Sequence, residues 1–131
     1  MTVVIDASVA CAALLPGDEN SEWARGVLES QTLVGPELLV VEVSHLLRRS
    51  VQGGVIPHSD GRAAIGDLVN VIDEFFEHAP FVERIWDLHS NVTSCDAVYV
   101  ALAEALGAPL ATLDHKLRRA PGPRCDFLSP S

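Results

Sequence analysis

Four carboxylates stand at positions from which a folded chain could gather them: Asp6, Glu42, Asp96 and Asp114. Each has an ordinary reading to set beside a chemical one. Asp6 follows a short β-branched run and fits a turn or cap. Asp114 fits the N-cap of a helix starting at His115, and Asp96 fits the cap of the apolar helix after it, where the helix dipole favours its charge. For Asp96, capping and metal binding are compatible. Glu42 resists the ordinary reading. Its helical neighbours at i−4, i−3 and i+4 are Leu38, Leu39 and Leu46, which puts it on or at the edge of a buried stripe. An unpaired buried carboxylate is costly, and Arg48 and Arg49 lie a turn and a half away. A bound cation is the economical counter-charge.

Such a group of oxygens suits a hard divalent ion, which prefers carboxylates, waters and substrate phosphate oxygens. Magnesium is the expected ion and manganese the alternative. The chemistry is hydrolysis of a phosphodiester: the ion lowers the pKa of a water, orients it for in-line attack and neutralises charge on the leaving oxygen. Nucleophilic routes lack support, since no Ser-His-Asp or Cys-His arrangement stands out. The phosphate loops GxGxxG and GxxxxGK[ST] are both absent. Cys11, Cys95 and Cys125 are odd in number and widely spaced without a CxxC, and the five histidines lack zinc-ligand spacing. Reduced, packed thiols are expected.

The elements that must position these acids can be read from the pattern. Strands are expected at 2–5, 32–34, 71–78 and 109–113, with an edge strand at 125–128. Helices are expected at 8–14, 18–30, 36–52, 57–69, 81–90, 97–106 and 115–119, with Pro36 in a first turn and Gly107 as a C-terminal stop. Strands alternating with helices imply an α/β fold of three layers, with a central, mostly parallel sheet of four to five strands. In such sheets ligands gather outside the carboxyl ends of the strands, where Asp6 and Asp114 fall.

The chain of 131 residues fits one domain, 1–131, and its 48% hydrophobic content supports a packed core. The opening Met-Thr-Val-Val-Ile-Asp does not read as a signal peptide, so none is expected, and no apolar run approaches the roughly 18 residues of a membrane span. A cytoplasmic location is expected. The net charge of −9 sits poorly with nucleic-acid binding, which usually uses a basic face. Two features reduce the conflict. Four acids would share one pocket with bound cations, and the positive charge is clustered at Arg48–Arg49 and at Lys116, Arg118 and Arg119. Arg48, Lys116, Arg118 and Arg119 are therefore candidate contacts to an RNA backbone, with solvated helix ends as the equal alternative.

These residues also carry a family resemblance. Val-Val-Ile-Asp-Ala-Ser at 3–8 resembles the opening of PIN domains, the nuclease fold of the VapC toxins of VapBC type II toxin–antitoxin pairs. Pro-Glu-Leu-Leu-Val-Val-Glu-Val at 36–43, running on to Leu46, Leu47, Arg48 and Arg49, is similar to the second acidic motif. Val-Thr-Ser-Cys-Asp-Ala-Val-Tyr-Val-Ala-Leu-Ala-Glu at 92–104 resembles the third, and Pro-Leu-Ala-Thr-Leu-Asp at 109–114 with Leu117 the fourth. The likeness spans nearly the whole chain in order and spacing, and the third motif is the most specific. It implies that Asp6, Glu42, Asp96 and Asp114 form the acidic quartet, with Asp6 and Asp96 the most direct ligands and Asp114 the loosest. Ser8 and Thr112 match hydroxyls that brace the site. Cys95 departs from the tyrosine common before the third acid, so altered packing is expected there.

The resemblance further implies a toxin: a metal-dependent endoribonuclease cutting transfer or ribosomal RNA to leave a 5′-phosphate and a 3′-hydroxyl. It implies a homodimer and a heteromeric complex with a VapB-like antitoxin whose tail lies along the active-site groove. Two alternatives remain open, a housekeeping RNA-processing PIN nuclease and a non-catalytic interaction module. A receiver domain would need paired acids after the first strand and a lysine after the last, and a haloacid-dehalogenase-like phosphatase would need DxD; neither pattern is present.

Overall fold

The computed structural model describes residues 1–130, the side chain of Ser30 excepted. Val3, Val4 and Ile5 are wholly buried in β1, Thr2–Ile5, as a strand covered on both faces requires. In chain order there follow α1 (Ala7–Leu14), α2 (Ser21–Ser30), β2 (Thr32–Pro36), α3 (Leu38–Gln52), α4 (His58–Val71) and β3 (Glu74–Phe76). A 3-10 turn (Ala79–Phe81), α5 (Val82–Asp87), α6 (Ser94–Leu106), β4 (Leu110–Ala111), α7 (His115–Arg119) and β5 (Phe127–Leu128) complete the chain.

Among the described residues the five strands form one sheet in the order β3-β2-β1-β4-β5, with every pairing parallel. This is the expected flanked parallel sheet at its upper strand count. α6 lies against β1, β2 and β4 and carries α5, while α1 packs on α2, α3 and α4. From β1 the chain first builds outward to β2 and β3, then returns to place β4 on the other side of β1. That reversal is the switch point at which parallel α/β sheets leave a crevice, just beyond the carboxyl ends of β1 and β4. Among the described residues no helix is long and apolar enough to cross a membrane.

Several boundaries differ from expectation for local reasons. The strand expected over 71–78 shrinks to Glu74–Phe76 because α4 continues to Val71 and Asp73 turns back, its carboxylate accepting from the Leu33 N–H at 2.8 Å. Pro36 ends β2 instead of opening α3. α2 starts at Ser21, since the Asp18 carboxylate holds the Asn20 N–H at 2.7 Å in a turn. The helix expected over 81–90 ends at Asp87. Gly35 is buried where α3 closes on the sheet: a Cβ there would lie 2.8 Å from Leu39 Cδ2, and Leu39 is itself fully buried.

The C-terminal stretch is tied down by one ion pair. Arg84 Nε donates to Glu104 Oε1 at 2.7 Å and its Nη2 donates to Glu104 Oε2 at 3.0 Å and to the Gly122 carbonyl at 2.8 Å. The Arg124 N–H donates to Glu104 Oε2 at 2.7 Å. The bidentate fork joins α5, α6 and the segment that feeds β5.

The cysteines are free, but not all packed. Cys11 and Cys125 are half-buried, and burial pushes each thiol up to about 11. Cys95 is exposed at the start of α6, which corrects the expectation of a packed thiol there.

Candidate active site

The register of the sheet sets the centre of the site. Ile5 pairs with Ala111, so the next residues along, Asp6 and Thr112, come out side by side at the switch point. Asp6 is 8% exposed and Thr112 is fully buried. The Thr112 hydroxyl donates to Asp6 Oδ2. On the other oxygen, Asp6 Oδ1 accepts from Ser8 Oγ at 2.5 Å and from the Val9 N–H at 3.2 Å, the latter capping α1. Both hydroxyls also accept: Ser8 Oγ from the Leu113 N–H at 3.1 Å and Thr112 Oγ1 from the Asp114 N–H at 3.0 Å. Ser8 and Thr112 thereby fasten the turn after β4 to the carboxylate after β1.

Asp96 enters from α6. It is not the cap of that helix: Thr93 is, its hydroxyl accepting from the Asp96 N–H at 3.2 Å. Asp96 therefore stands in the first turn, where the dipole still favours its charge. Asp114 is the N-cap of α7, its Oδ1 accepting from the N–H groups of Lys116 at 2.9 Å and Leu117 at 3.2 Å. Its other oxygen has no such role, and the residue is exposed.

Glu42 is half-buried on α3 beside fully buried Leu39. Its partner is a residue that the pattern of the chain did not single out. Tyr99, only 1% exposed, donates its hydroxyl to Glu42 Oε1 at 2.5 Å. A signal for it existed: Tyr99 is the one hydroxyl-bearing residue in the apolar run 97–103, and it lies one turn beyond Asp96 on the same helix face.

The electrostatics join these groups. Burial pushes the Asp6 carboxyl up against the pull of its hydrogen bonds from Ser8, Thr112 and Val9, and the charge of Asp96 adds to the rise. Burial likewise raises Asp96, with Thr93 opposing and the charge of Asp114 adding. The Tyr99 hydroxyl is pushed well above its ordinary range by burial, by its bond to Glu42 and by the charges of Glu42, Asp6 and Asp96. Asp96 thus acts on Asp6 and Asp114 on Asp96, while Glu42, Asp6 and Asp96 all act on the Tyr99 hydroxyl. Among the described residues, however, no group of three or more His, Cys, Asp or Glu stands as close as a preformed metal site requires. Like charges without a counter-ion repel at such range. The donor set is all oxygen, and no arginine or lysine pairs with Asp6, Asp96 or Glu42 among the described residues, so the chemistry fits a hard cation.

A cleft of about 290 Å³ opens beside Asp96 and Asp114, with Asn91, Thr93, Lys116 and Leu117 among its walls. Of the basic candidates, only Lys116 is at the acids. Arg48 lines a groove of about 460 Å³ between α3 and α4, with Leu47, Val51, His58, Arg62 and Ile65 and none of the four carboxylates. Arg118 turns its Nη1 to Ser129 Oγ at 2.9 Å and its Nη2 to His115, in a separate cleft with Glu19 and Asn20. Arg119 is exposed at the end of α7.

The model of the PIN domain matches residues 3–123. Among curated proteins, the chain is 41% identical to Ribonuclease VapC1 of Mycobacterium tuberculosis over 125 residues, covering 95% of this chain and 94% of that one. It is 37% identical to Ribonuclease VapC9 of the same organism over 115 residues, covering 88% and 87%. Among solved structures, the fold is similar to M. tuberculosis VapC20, a sarcin–ricin-loop-cleaving toxin, with a TM-score of 0.72 at 18% identity over 88% of this chain and 92% of that one. It is also similar to VapBC2 of Rickettsia felis bound to promoter DNA, with a TM-score of 0.73 at 11% identity over the full length of both chains.

Proposed function

The chain belongs to the PIN domain family, among the VapC ribonucleases, and on that premise we propose that it is a metal-dependent endoribonuclease, the toxin of a toxin–antitoxin pair. The whole of 1–131 acts as a single nuclease domain. One observation carries the reading. A buried carboxylate at the switch point, Asp6, is held on both oxygens by Ser8, Thr112 and a backbone N–H, with Asp96 acting on it by charge and, among the described residues, no basic side chain paired with either. A fold keeps such an arrangement when a cation completes it.

Asp6, Asp96 and Glu42 would hold the ion, magnesium or manganese, and Asp114 would join through its free oxygen, directly or across a water. The ion would supply an activated water and would offset charge on the phosphate. Everything else falls to the chain itself. Ser8 and Thr112 fix the orientation of Asp6, so that no rearrangement is needed when substrate arrives. Lys116 stands on the wall of the cleft beside Asp96 and Asp114, where its ammonium can hold a phosphate oxygen of the RNA next to the bond being cut. Arg119, on the same short helix, is a lesser contact. Arg48 and Arg118 face other clefts and are not expected to touch the scissile phosphate.

The partners follow from the same reading: RNA as substrate, a second copy in a homodimer, and a VapB-like antitoxin whose basic segment suits an acidic groove. The setting is cytoplasmic. The test is cleavage of RNA by purified protein with and without magnesium. Wild type should cut only with the ion, and Asp6→Asn or Asp96→Asn should lose more than about 100-fold, beyond what disturbing an outer partner of a ligand costs. Full activity in either variant, or undiminished cutting in chelator, sinks the assignment.

A further inference from the structure

The Glu42–Tyr99 hydrogen bond joins α3 and α6 at the site. Tyr99 is 1% exposed and packed among residues of the core, so its ring has one place to be. Its hydroxyl is spent on Glu42 Oε1 at 2.5 Å. A tyrosine hydroxyl has a single proton to donate, so this bond leaves the second oxygen, Glu42 Oε2, without a claim from Tyr99. Asp96 precedes Tyr99 by three residues, which places both on one face of α6. The bond to Glu42 is thus made one turn along α6 from Asp96, at the rim of the acidic centre rather than in a distant part of the core.

The ordinary account of a buried tyrosine is that its hydroxyl simply needs an acceptor. A backbone carbonyl within the helix bundle would meet that need without burying a charge. Here the acceptor is a half-buried carboxylate flanked by Leu38, Leu39 and Leu46, with no basic side chain paired to it among the described residues. A free glutamate side chain has three rotatable bonds, and holding it in one orientation costs side-chain entropy that a single strong hydrogen bond can offset.

We infer that Tyr99 is a positioning residue: it fixes the Glu42 carboxylate at the edge of the Asp6–Asp96 pair, with one oxygen bonded to the hydroxyl and the other presented to the divalent ion. This rests on the metal-binding reading above. Removing only the hydroxyl, by Tyr99→Phe, keeps the ring and its packing and frees Glu42 to rotate. The expected result is manganese binding weakened about 10- to 100-fold, the range for losing the partner of a metal ligand.

The experiment is calorimetric titration of manganese into the whole protein for wild type, Tyr99→Phe, Glu42→Gln and the double variant, with melting temperatures of the metal-free forms alongside. Positioning through Glu42 requires that Tyr99→Phe weaken binding in the wild-type background and add nothing once Glu42 is Gln. A purely structural tyrosine would lower the melting temperature and leave manganese binding at the wild-type value, which overturns the inference. Equal weakening in both backgrounds also overturns it, because the effect would then not pass through Glu42. If wild type itself binds no manganese and cuts no RNA, the metal-binding reading falls and this inference with it; wild-type binding that Tyr99→Phe leaves unchanged removes this inference alone.

Discussion

Asp6 and Asp96 both carry carboxyls raised above the ordinary aspartate range, chiefly by burial. A carboxyl whose pKa is higher in the fold than in the unfolded chain binds its proton more tightly when folded. At neutral pH the ionised form therefore opposes folding, and acidification through the raised pKa relieves the opposition. Without a cation, the acids that make the site also weaken the protein. Asp96→Asn should raise the melting temperature of the metal-free protein at pH 7 by a few degrees, as a change on the order of 1 kcal/mol would in a chain of this size. The advantage should narrow as the pH falls through the raised Asp96 pKa. Thermal melts of both proteins across that range, in chelator, provide the check. An Asp96→Asn variant that is less stable at pH 7, or a gap that widens on acidification, would refute the account. Asp96 suits this test better than Asp6, whose oxygens are already bonded to Ser8, Thr112 and Val9 N–H, so that an amide there would break contacts as well as remove charge.

At the scale of elements, the Arg84–Glu104 fork is the clearest single device. Burial disfavours the Glu104 charge, but the hydrogen bonds from Arg84 and the Arg124 N–H outweigh it and hold the carboxyl below its usual 4.5. A lowered pKa means stability that is present above the unfolded value and lost as pH drops through the folded one. Arg84→Met should cost about 2 kcal/mol, in the range for charged hydrogen bonds that are partly shielded from water. Its cost should fade below about pH 4, close to where an unpaired glutamate titrates. Denaturant melts at pH 7 and pH 3 would test it; a cost that persists unchanged at pH 3 would mean that packing of the long side chain, not the charge pair, is what matters. This fork was not legible in the sequence, since Arg84 and Glu104 are twenty residues apart and neither spacing nor composition marks them. Other elements were. The β-branched run ending at Asp6 declares a buried strand and its exit, and Gly107, in a left-handed conformation at φ 61°, declares the end of α6. Asp114 takes the ordinary reading with one oxygen, which caps α7, and no capping bond uses the other. Glu42 shows where the pattern ran out. Its leucine neighbours announced a carboxylate in need of a partner, but the partner came from a helix 57 residues away, and only the fold could supply that contact.

The whole molecule carries a net charge of −9, and an acidic chain that handles RNA must do so through a small number of local contacts. The geometry limits them further. Lys116 is at the acids, while Arg48 lies in the groove between α3 and α4 and Arg118 is engaged with His115 and Ser129. On the proposed function, the same net negative charge would weaken the grip on an RNA backbone and would favour a basic antitoxin segment. The salt dependence of RNA binding measures this directly. Each phosphate neutralised on a single strand contributes a slope of about −0.7 to log affinity against log salt concentration. With Lys116 and a bound cation as the main contacts, the slope for a non-cleavable RNA analogue in magnesium should lie between about −1 and −2, far shallower than the steep dependence of basic nucleic-acid binders. Lys116→Gln should flatten it by about 0.7 and weaken affinity by roughly tenfold, whereas Arg118→Gln should leave both nearly unchanged. Anisotropy titrations over a range of salt decide the matter. A slope steeper than about −4 would mean an extended basic face that the folded chain does not present, and an unchanged slope in Lys116→Gln would remove Lys116 from the RNA path.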